Sequence, residues 1–252
     1  MTKFKVPGVS VAGVSVPGVS VAGVSVPGVS VPGRSRRQEY SAATKRALTD
    51  VAEELFTEHG YAATSLDAIV AGARVTKGAL YHHFSGKQEL FEAVFERVEE
   101  QSTKAIQKAV RASTDPWDKA SAGLRTFLEI VREPRYRRIV IQEGPSVLGY
   151  ERFREQEERS TYGTVLELVR ATLTAGSWEL DEAMLHTFSR IFFGALNTAG
   201  AAVATSEDPE ADSVRVQTVI GLMLAGIRQI VDSETDLSEV TTDVFGPDWS
   251  AI

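Results

Sequence analysis

Apolar residues recur at helical spacing along most of the chain after residue 40. In the first such segment they stand at i, i+3, i+4, i+7 and i+8, at Leu48, Val51, Ala52, Leu55 and Phe56. That spacing places all of them on one face of an α-helix. Ser41 has the side chain of a helix N-cap, and Gly60 suits the turn after a helix. The pattern therefore predicts a long first helix that starts near Ser41 and ends at Gly60.

Two short amphipathic segments follow in the sequence TSLDAIVAGARVTKGALYHHFSGK. Thr64 is a suitable N-cap for the first segment, with Asp67 in the capping-box position. Gly72 is expected to supply the left-handed residue at its end. Thr76 suits the N-cap of the second segment, residues 77–83, which starts with small residues and so allows close approach to base edges in a major groove. Together the two segments predict a helix-turn-helix.

The rest of the chain carries the same helical period. Residues 85–88, SGKQ, have the S-x-x-Q form of a capping box, and the apolar period after them extends to about Ala112. Further apolar stripes predict helices within residues 116–133, 135–142, 150–174, 183–204 and 212–231. No alternating strand pattern occurs between Ala47 and Val231. We predict an all-α protein of about nine helices.

The first 33 residues differ from the rest in composition. Residues 6–30 are five pentapeptides of the form Val-(Pro/Ala)-Gly-Val-Ser, and residues 31–35 are a degenerate sixth. Each Pro-Gly pair favours a type II turn, and the small side chains cannot build a core. The repeat is similar to the pentapeptides of elastin, although Ser replaces the usual final Gly and Ala replaces Pro in alternate units. We interpret it as a low-complexity appendage, and the alternative is an assembly segment or a spacer.

A short basic window follows the repeat. Residues 34–46 contain the basic side chains Arg34, Arg36, Arg37, Lys45 and Arg46. Their one acidic side chain is Glu39. The arginines suit a flexible arm that binds phosphates or enters a minor groove, and the alternative is a solvated linker. The predicted organisation is a repeat at 1–33, a basic arm at 34–40, a helix-turn-helix domain at 41–86, a larger helical domain at 87–235 and an acidic C-terminal tail at 236–252.

Composition and charge exclude several classes of protein. A net charge of −7 argues against nucleic-acid binding over the whole surface but allows a local basic patch. The chain has no cysteine for disulfides or thiolate metal sites, and no run of about 18 apolar residues, so we expect no transmembrane helix and no membrane partner. The four histidines lack metal-ligand spacing, and no phosphate loop, nucleophile elbow or dinucleotide fingerprint occurs. We expect neither an enzyme nor a metal or other cofactor.

The second short helix carries a family resemblance. Residues 76–84, TKGALYHHF, resemble the DNA-binding signature of the TetR family of bacterial transcriptional regulators. The resemblance continues at Lys87, Glu89, Leu90 and Phe91, and upstream through residues 47–60. It implies an N-terminal three-helix helix-turn-helix domain, a C-terminal helical effector-binding and dimerisation domain, and a cytoplasmic location.

The resemblance also implies which residues contact DNA. At the start of the second short helix and within it these are Thr76, Lys77, Gly78, Ala79, Tyr81 and His82. Tyr81 is expected to contact mainly phosphate. Lys87 and Thr64, at helix starts, are expected to lie against the DNA backbone. Arg36 and Arg37 of the basic arm complete the predicted contacts.

The second of the last two predicted helices, residues 212–231, is apolar on more than one face, which implies burial against its own domain on one side and against a second copy on the other. In the family such a pair forms a four-helix dimer interface, and a two-fold dimer matches a palindromic operator. The predicted interface residues are Phe193, Leu196, Gly200, Ile220, Met223, Leu224 and Ile227. The alternative is a core pair within a monomer.

The resemblance further implies a pocket for a small, lipophilic effector among the middle helices. By residue type its candidate lining is Phe127, Val131, Tyr136, Ile139, Tyr162, Trp178, His186 and Phe192. We therefore expect a homodimeric repressor that binds a palindromic double-stranded DNA operator and is released by the effector. The alternatives are an activator, an architectural DNA-binding protein without effector, and a structural protein that uses the N-terminal repeat.

Overall fold

The structure is a computed structural model, and it describes residues 32–176, 178, 180–233 and 235–246. Within these residues the regular structure is entirely helical, which confirms the all-α prediction. The α-helices are α1 (Pro32–Ala63), α2 (Leu66–Gly72), α3 (Lys77–His83), α4 (Lys87–Arg111), α5 (Pro116–Ile130), α6 (Pro134–Tyr136), α7 (Gly144–Leu148), α8 (Tyr150–Glu157), α9 (Gly163–Leu173), α10 (Glu182–Thr205), α11 (Pro209–Asp232) and α12 (Leu237–Phe245). Two π-helical segments lie between them, π1 (Arg137–Glu143) and π2 (Glu158–Tyr162).

The start of α1 differs from the prediction. The helix begins at Pro32 and not at Ser41, so residues 34–40, predicted as a flexible arm, are helical. Proline suits the first turn of a helix because its fixed φ is already helical, and the arginine, glutamine and glutamate residues that follow are good helix formers. Contacts divide the chain into two compact units between Ala43 and Thr44.

The two ends of the chain were predicted as a repeat and an acidic tail. Residues 1–31 and residues 247–252 lie outside the described residues. The start of the predicted tail forms α12, in which Leu237, Val240 and Val244 stand at i, i+3 and i+7 in the sequence. The acidic composition of this segment obscured a helical period.

The first three helices fold around a small core. Gly60, within the span of α1, has φ +79, a conformation that residues other than glycine rarely adopt, so the helix is broken there as predicted. The buried core side chains are Leu48, Ala52 and Phe56 of α1, Ile69 of α2, Leu80 of α3, Phe84, and Leu90, Phe91 and Val94 of α4. Helix α1 therefore packs on the two short helices, and α4 closes the same core. We call α2, α3 and the part of α1 from Thr44 the head, and α5 to α12 with π1 and π2 the body.

Two local assignments around α2 were wrong. Ser65, not Thr64, is the N-cap of α2, and its hydroxyl accepts a backbone N–H of the first turn at 3.1 Å. The left-handed residue after α2 is Arg74, with φ 55, and not Gly72. Position 72 favours glycine for another reason, because an added Cβ would lie 2.7 Å from Val51 Cγ1 of α1. The glycine therefore allows close packing of α2 on α1.

The start of α4 also differs from the prediction. The helix begins at Lys87 with Gly86 as its N-cap, so residues 85–88 do not form the predicted capping box. Instead the backbone N–H of Ser85 donates to Glu89 Oε2 at 2.7 Å. This hydrogen bond is the main reason that the pKa of Glu89 is lowered. A carboxylate near a helix N-terminus is favourable, so Glu89 fixes the point at which α4 leaves the head.

The body is organised along the second half of α4, which packs on α5. Ile106 of α4, Leu124 and Leu128 of α5 and Val203 of α10 belong to the same buried cluster as the head core. A second buried cluster joins α9 to α10 through Val165, Val169, Leu173 and Leu185. A single core therefore continues from the head through α4 into the body, while α9, α10 and α11 enclose a separate space beside it.

Candidate nucleic-acid interface and ligand cavity

Helix α3 presents one face to solvent. The Thr76 hydroxyl accepts the Ala79 N–H at 3.1 Å, which confirms Thr76 as the N-cap. Leu80 points into the head core with 1% of its surface exposed, whereas Tyr81 is 58% exposed. The exposed residues of the face are Thr76, Lys77, Gly78, Tyr81 and His82, and Ala79 is half-buried among them. The predicted contact residues of the second short helix thus share one accessible surface.

The charges on this face are partly fixed by their neighbours. Lys77 Nζ lies 2.7 Å from Asp67 Oδ1 of α2, and this hydrogen bond raises the pKa of Lys77. The lysine therefore remains cationic, although the pair is exposed and contributes little to stability. Burial lowers the pKa of His83, and His82 and Lys45 add to the effect. His83 is consequently a neutral donor or acceptor at neutral pH.

Lys45 is a basic residue of this region that the predicted contacts omitted. It is exposed on α1, and its ammonium lies 5.5 Å from the centre of the Phe84 ring at the end of α3. The sequence signal was present, because Lys45 and Arg46 belong to the basic window that precedes the first apolar stripe. The structure adds the location, beside α3.

Lys87 and Thr64 occupy places that differ from the prediction. Lys87 Nζ donates to the carbonyl oxygens of Tyr61 and Thr64 at 2.8 and 2.9 Å, and it lies 4.3 Å from the centre of the Tyr61 ring. Thr64 is 3% exposed, and its hydroxyl donates to the Gly60 carbonyl at 2.7 Å. Both residues therefore join the end of α1 to the start of α4. Arg36 and Arg37 are exposed on the part of α1 that belongs to the first unit.

Direct contacts connect the body to the head without passing along α4. The Tyr61 N–H, just after the break at Gly60, donates to Glu143 Oε2 of π1 at 2.7 Å. Arg138 of π1 pairs with the same carboxylate at 3.3 Å. Arg135 of α6 pairs with Glu53 of α1 at 3.2 Å. These contacts join α6 and π1 directly to α1.

A cavity lies in the body between α5, π2, α9, α10 and α11. The cavity volume is about 90 Å³. The lining residues are Ile106, Trp117, Ala120, Gly123, Leu124, Phe127, Thr161, Thr164, Val165, Leu168, Val169, Thr172, Leu173, Phe192, Phe193, Leu196, Asn197, Ile220, Leu224 and Ile227. A concave, mostly apolar space of this kind is typical of small-molecule sites.

The predicted pocket residues are divided between this cavity and other places. Phe127 and Phe192 line it. Val131, Tyr136 and Ile139 lie instead in the main core. The Tyr162 hydroxyl and His186 Nδ1 form a hydrogen bond of 3.0 Å, and the Trp178 indole donates to the Thr235 carbonyl at 2.8 Å. Tyr162, Trp178 and His186 are therefore near α9 and α10 but outside the lining.

The predicted dimer residues also differ from their expected position. Five of the seven line the cavity, namely Phe193, Leu196, Ile220, Leu224 and Ile227. Gly200 is buried, and an added Cβ would lie 2.6 Å from Phe127 Cζ of α5. Of the predicted set, Met223 is the residue with an exposed side chain, at 55%. Most of the predicted interface residues therefore lie on the cavity side of α10 and α11.

A different set of apolar residues is exposed on α10 and α11. These are Met184, Ile191, Val214, Val219, Leu222 and Met223, and Leu222 alone is 69% exposed. Among the described residues, one helix, α11, is long and apolar enough to cross a membrane by length and composition alone. Only 11% of its most apolar stretch is buried. Exposed apolar surface of this extent on a chain with a buried core indicates a contact surface for another molecule.

Comparison with known proteins agrees with this arrangement. Residues 48–94 match a family model described as bacterial regulatory proteins, tetR family. Residues 117–227 match one described as a tetracyclin repressor-like C-terminal domain. The chain is 32% identical over 120 residues to the Transposon Tn10 TetC protein of Escherichia coli, covering 46% of this chain and 59% of TetC. It is 35% identical over 80 residues to the HTH-type transcriptional activator FasR of Mycolicibacterium smegmatis, covering 32% of this chain and 36% of FasR.

The chain thus spans less than two thirds of the length of either relative. A solved structure is similar over a longer part. The crystal structure of a TetR-family transcriptional regulator from Pectobacterium atrosepticum gives a TM-score of 0.66 at 28% identity, over 75% of this chain and 96% of that protein. The family models cover both the head and the body, and the fold agrees in both. The chain belongs to the TetR family of bacterial transcriptional regulators.

Proposed function

We propose that this chain is a sequence-specific DNA-binding transcriptional regulator that inserts α3 into the major groove. The observation that carries the proposal is the single exposed face of α3, on which Thr76, Gly78 and Tyr81 stand opposite the buried Leu80. Small residues at the start of the helix allow the backbone to approach base edges, and Lys77 and Tyr81 suit phosphate contacts. The names of the relatives, HTH-type regulators among them, support this function, which places the protein in the bacterial cytoplasm.

The proposed regulator is a homodimer. Leu222, Met223 and Val219 form an exposed apolar surface on α11, and Ile191 extends it on α10. A two-fold contact between copies would bury the surface on both chains and would set two α3 helices on half-sites about 34 Å apart, or a multiple of that distance. This geometry corresponds to a palindromic operator.

The cavity favours a ligand-responsive regulator over an architectural DNA-binding protein without effector. A ligand between α5, α9, α10 and α11 bears on α5, which packs on α4, and α4 continues into the head. The hydrogen bond from the Tyr61 N–H to Glu143 joins the body to the head at a further place. Ligand binding that favours another packing of these elements changes the separation of the two α3 helices and releases the operator. Whether release raises or lowers transcription depends on where the operator lies relative to the promoter.

The test of the DNA-binding face compares two exposed tyrosines. Selection from random duplexes first identifies a sequence that the purified protein binds, and fluorescence anisotropy then measures its affinity. Tyr81→Ala is expected to weaken binding by about tenfold or more, since a specific DNA contact contributes about 1–3 kcal/mol. Tyr150→Ala is the control, because Tyr150 is 70% exposed on α8, in the body. Equal affinities of the two variants would refute the assigned face.

Lys87→Ala separates a phosphate contact from a positioning role. The Lys87 ammonium already donates to the Tyr61 and Thr64 carbonyls, so its removal is expected to weaken DNA binding by misplacing α1 against α4. In that case the slope of log affinity against log salt stays unchanged. A phosphate contact would instead lower the slope by about 1.

A further inference from the structure

The cavity in the body is lined by uncharged groups. Among its described lining residues none is ionisable, and four have polar side chains, Thr161, Thr164, Thr172 and Asn197. The remaining residues are apolar and include the rings of Trp117, Phe127, Phe192 and Phe193. An ionised ligand would lose its hydration there without meeting an opposite charge, which opposes binding strongly. The lining therefore selects uncharged molecules.

The three threonines already take part in hydrogen bonds within the protein. The Thr172 hydroxyl donates to a carbonyl of its own helix at 2.9 Å. Thr164 Oγ1 accepts from Gln107 Nε2 at 3.3 Å. Thr161 Oγ1 lies 3.4 Å from Thr103 Oγ1. These side chains stabilise the wall of the cavity, and their polar atoms are largely used.

Asn197 is different. It lies half-buried on α10, one turn after Phe193, and both residues line the cavity. Its side-chain amide forms no hydrogen bond with another residue in the part of the chain that the structure describes. That amide has two N–H donors and a carbonyl acceptor. The residue is only half-buried, so water can reach the amide, and a ligand that displaces this water gains affinity if it completes the same hydrogen bonds.

The lining of the cavity also contacts α4, the helix that continues into the head, and Ile106 of α4 belongs to that lining. Thr161 and Thr164 contact Thr103 and Gln107, and both of these residues are on α4. A ligand held at Asn197 therefore fills the space between α10 and the residues that contact α4. A ligand in the cavity therefore contacts residues that are hydrogen-bonded to α4, the helix that continues into the head.

We propose that the cavity binds an uncharged, largely apolar molecule with one hydrogen-bonding group, a hydroxyl or a carbonyl, and that Asn197 holds this group. The proposal deepens the proposed function, on which it rests for the consequence that the ligand releases DNA. Asn197 determines specificity between ligands of the same apolar shape. The apolar and aromatic side chains of the lining supply the remainder of the affinity.

Three probes of one shape test this specificity, namely naphthalene, 2-naphthol and 2-naphthoate. Their affinities for the full-length protein without DNA are measured by isothermal titration calorimetry at pH 7, where 2-naphthol is neutral and 2-naphthoate is ionised. Wild-type protein is expected to bind 2-naphthol about three- to tenfold more tightly than naphthalene, the effect of one hydrogen bond. It is expected to bind 2-naphthoate at least about a hundredfold more weakly than 2-naphthol.

Asn197→Leu removes the amide and keeps a side chain of similar size. In this variant the preference for 2-naphthol over naphthalene is expected to disappear, while the naphthalene affinity changes by less than about twofold. Retained naphthalene binding also shows that the variant is folded. The matched control is Thr198→Val, since Thr198 is the next residue on α10 but is exposed and outside the lining. It is expected to keep the wild-type preference.

Several outcomes would overturn the proposal. They are a preference for 2-naphthol that persists in Asn197→Leu, tight binding of 2-naphthoate, and no binding of any of the three probes by the wild type. A change in dimerisation of Asn197→Leu without a change in probe binding would assign the amide to the contact between copies. Because no DNA is present, these results are independent of the α3 face. Failure of DNA binding with intact 2-naphthol binding would reject the proposed function and leave the ligand site standing.

Discussion

Replacement of Gly60 by alanine tests whether the contact between π1 and the end of α1 holds the head in place. Gly60 has φ 79 and ψ 169, a region that is close to exclusive to glycine. Gly149 at the start of α8 has nearly the same backbone, with φ 81 and ψ 156, but no atom lies within 4 Å of an added Cβ. Gly149→Ala therefore measures the backbone strain alone, which is of order 1–3 kcal/mol.

At Gly60 the added Cβ meets side chains of the body. It would overlap Arg138 Nη2 and would lie 2.5 Å from Glu143 Oε1, so both flexible side chains must move. Movement of the carboxylate breaks the hydrogen bond from the Tyr61 N–H, and a hydrogen bond to a charged group contributes about 1.5–3 kcal/mol. We expect Gly60→Ala to lower the free energy of unfolding by about 2.5–6 kcal/mol, which exceeds the loss for Gly149→Ala by that contact.

Urea unfolding followed by circular dichroism measures both variants. The protomer concentration is kept equal in all samples, because the stability of a dimer depends on it. Equal m-values are required for the comparison, since a changed slope reports a changed unfolded or native state. If Gly60→Ala and Gly149→Ala lose the same free energy, the contact of Glu143 with Tyr61 contributes nothing, and the body is joined to the head through α4 and the Arg135–Glu53 pair.

Two further perturbations address the dimer surface and the buried carboxyl group. Leu222→Asp should raise the dimer dissociation constant at least about a hundredfold in sedimentation equilibrium, since about 1.5–3 kcal/mol of apolar burial is lost per protomer. The control is Val244→Asp on α12, a residue that is similarly exposed, and it should leave the dissociation constant unchanged. Burial raises the pKa of Glu99, so wild-type stability should fall as pH rises above the unfolded value of 4.5. The free energy of unfolding of Glu99→Gln, measured in urea, should therefore rise relative to that of the wild type between pH 4.5 and pH 8. If the difference between the two proteins is the same at every pH, Glu99 does not have a raised pKa in the folded state.

Much of the head could be predicted because its determinants are local. Leu80 faces the core and Tyr81 faces solvent as the helical period requires, and the Thr76 cap is fixed by a residue three positions away. The errors at Thr64 and Gly72 have local causes as well. Thr64 and Ser65 are adjacent hydroxyl residues, and both suit an N-cap. Gly72 is explained by the close packing of α2 on α1 and not by a positive φ.

The errors in the body come from contacts between residues far apart in sequence. The Tyr61–Glu143 hydrogen bond spans 82 positions and leaves no pattern along the chain. On α10 and α11 both faces are apolar, so periodicity identifies two helices but not which face is turned inward. Ile220 and Leu224 therefore entered the predicted interface although they line the cavity, while Leu222 was missed. The hydrogen bonds of Lys87 to two carbonyl groups at the end of α1 also could not be predicted, because they join residues more than 20 positions apart.

The exposed apolar side of α11 has a consequence for gene control if the chain acts as the dimeric regulator proposed above. Under the proposed function a lone protomer exposes Leu222 and Met223 and carries one reading helix, whereas a palindrome needs two. Below the dissociation constant of the pair, the number of competent molecules grows as the square of the protomer concentration. A modest increase in synthesis of the protein would then raise the occupancy of its operator steeply, so regulation would begin above a threshold concentration of protomer.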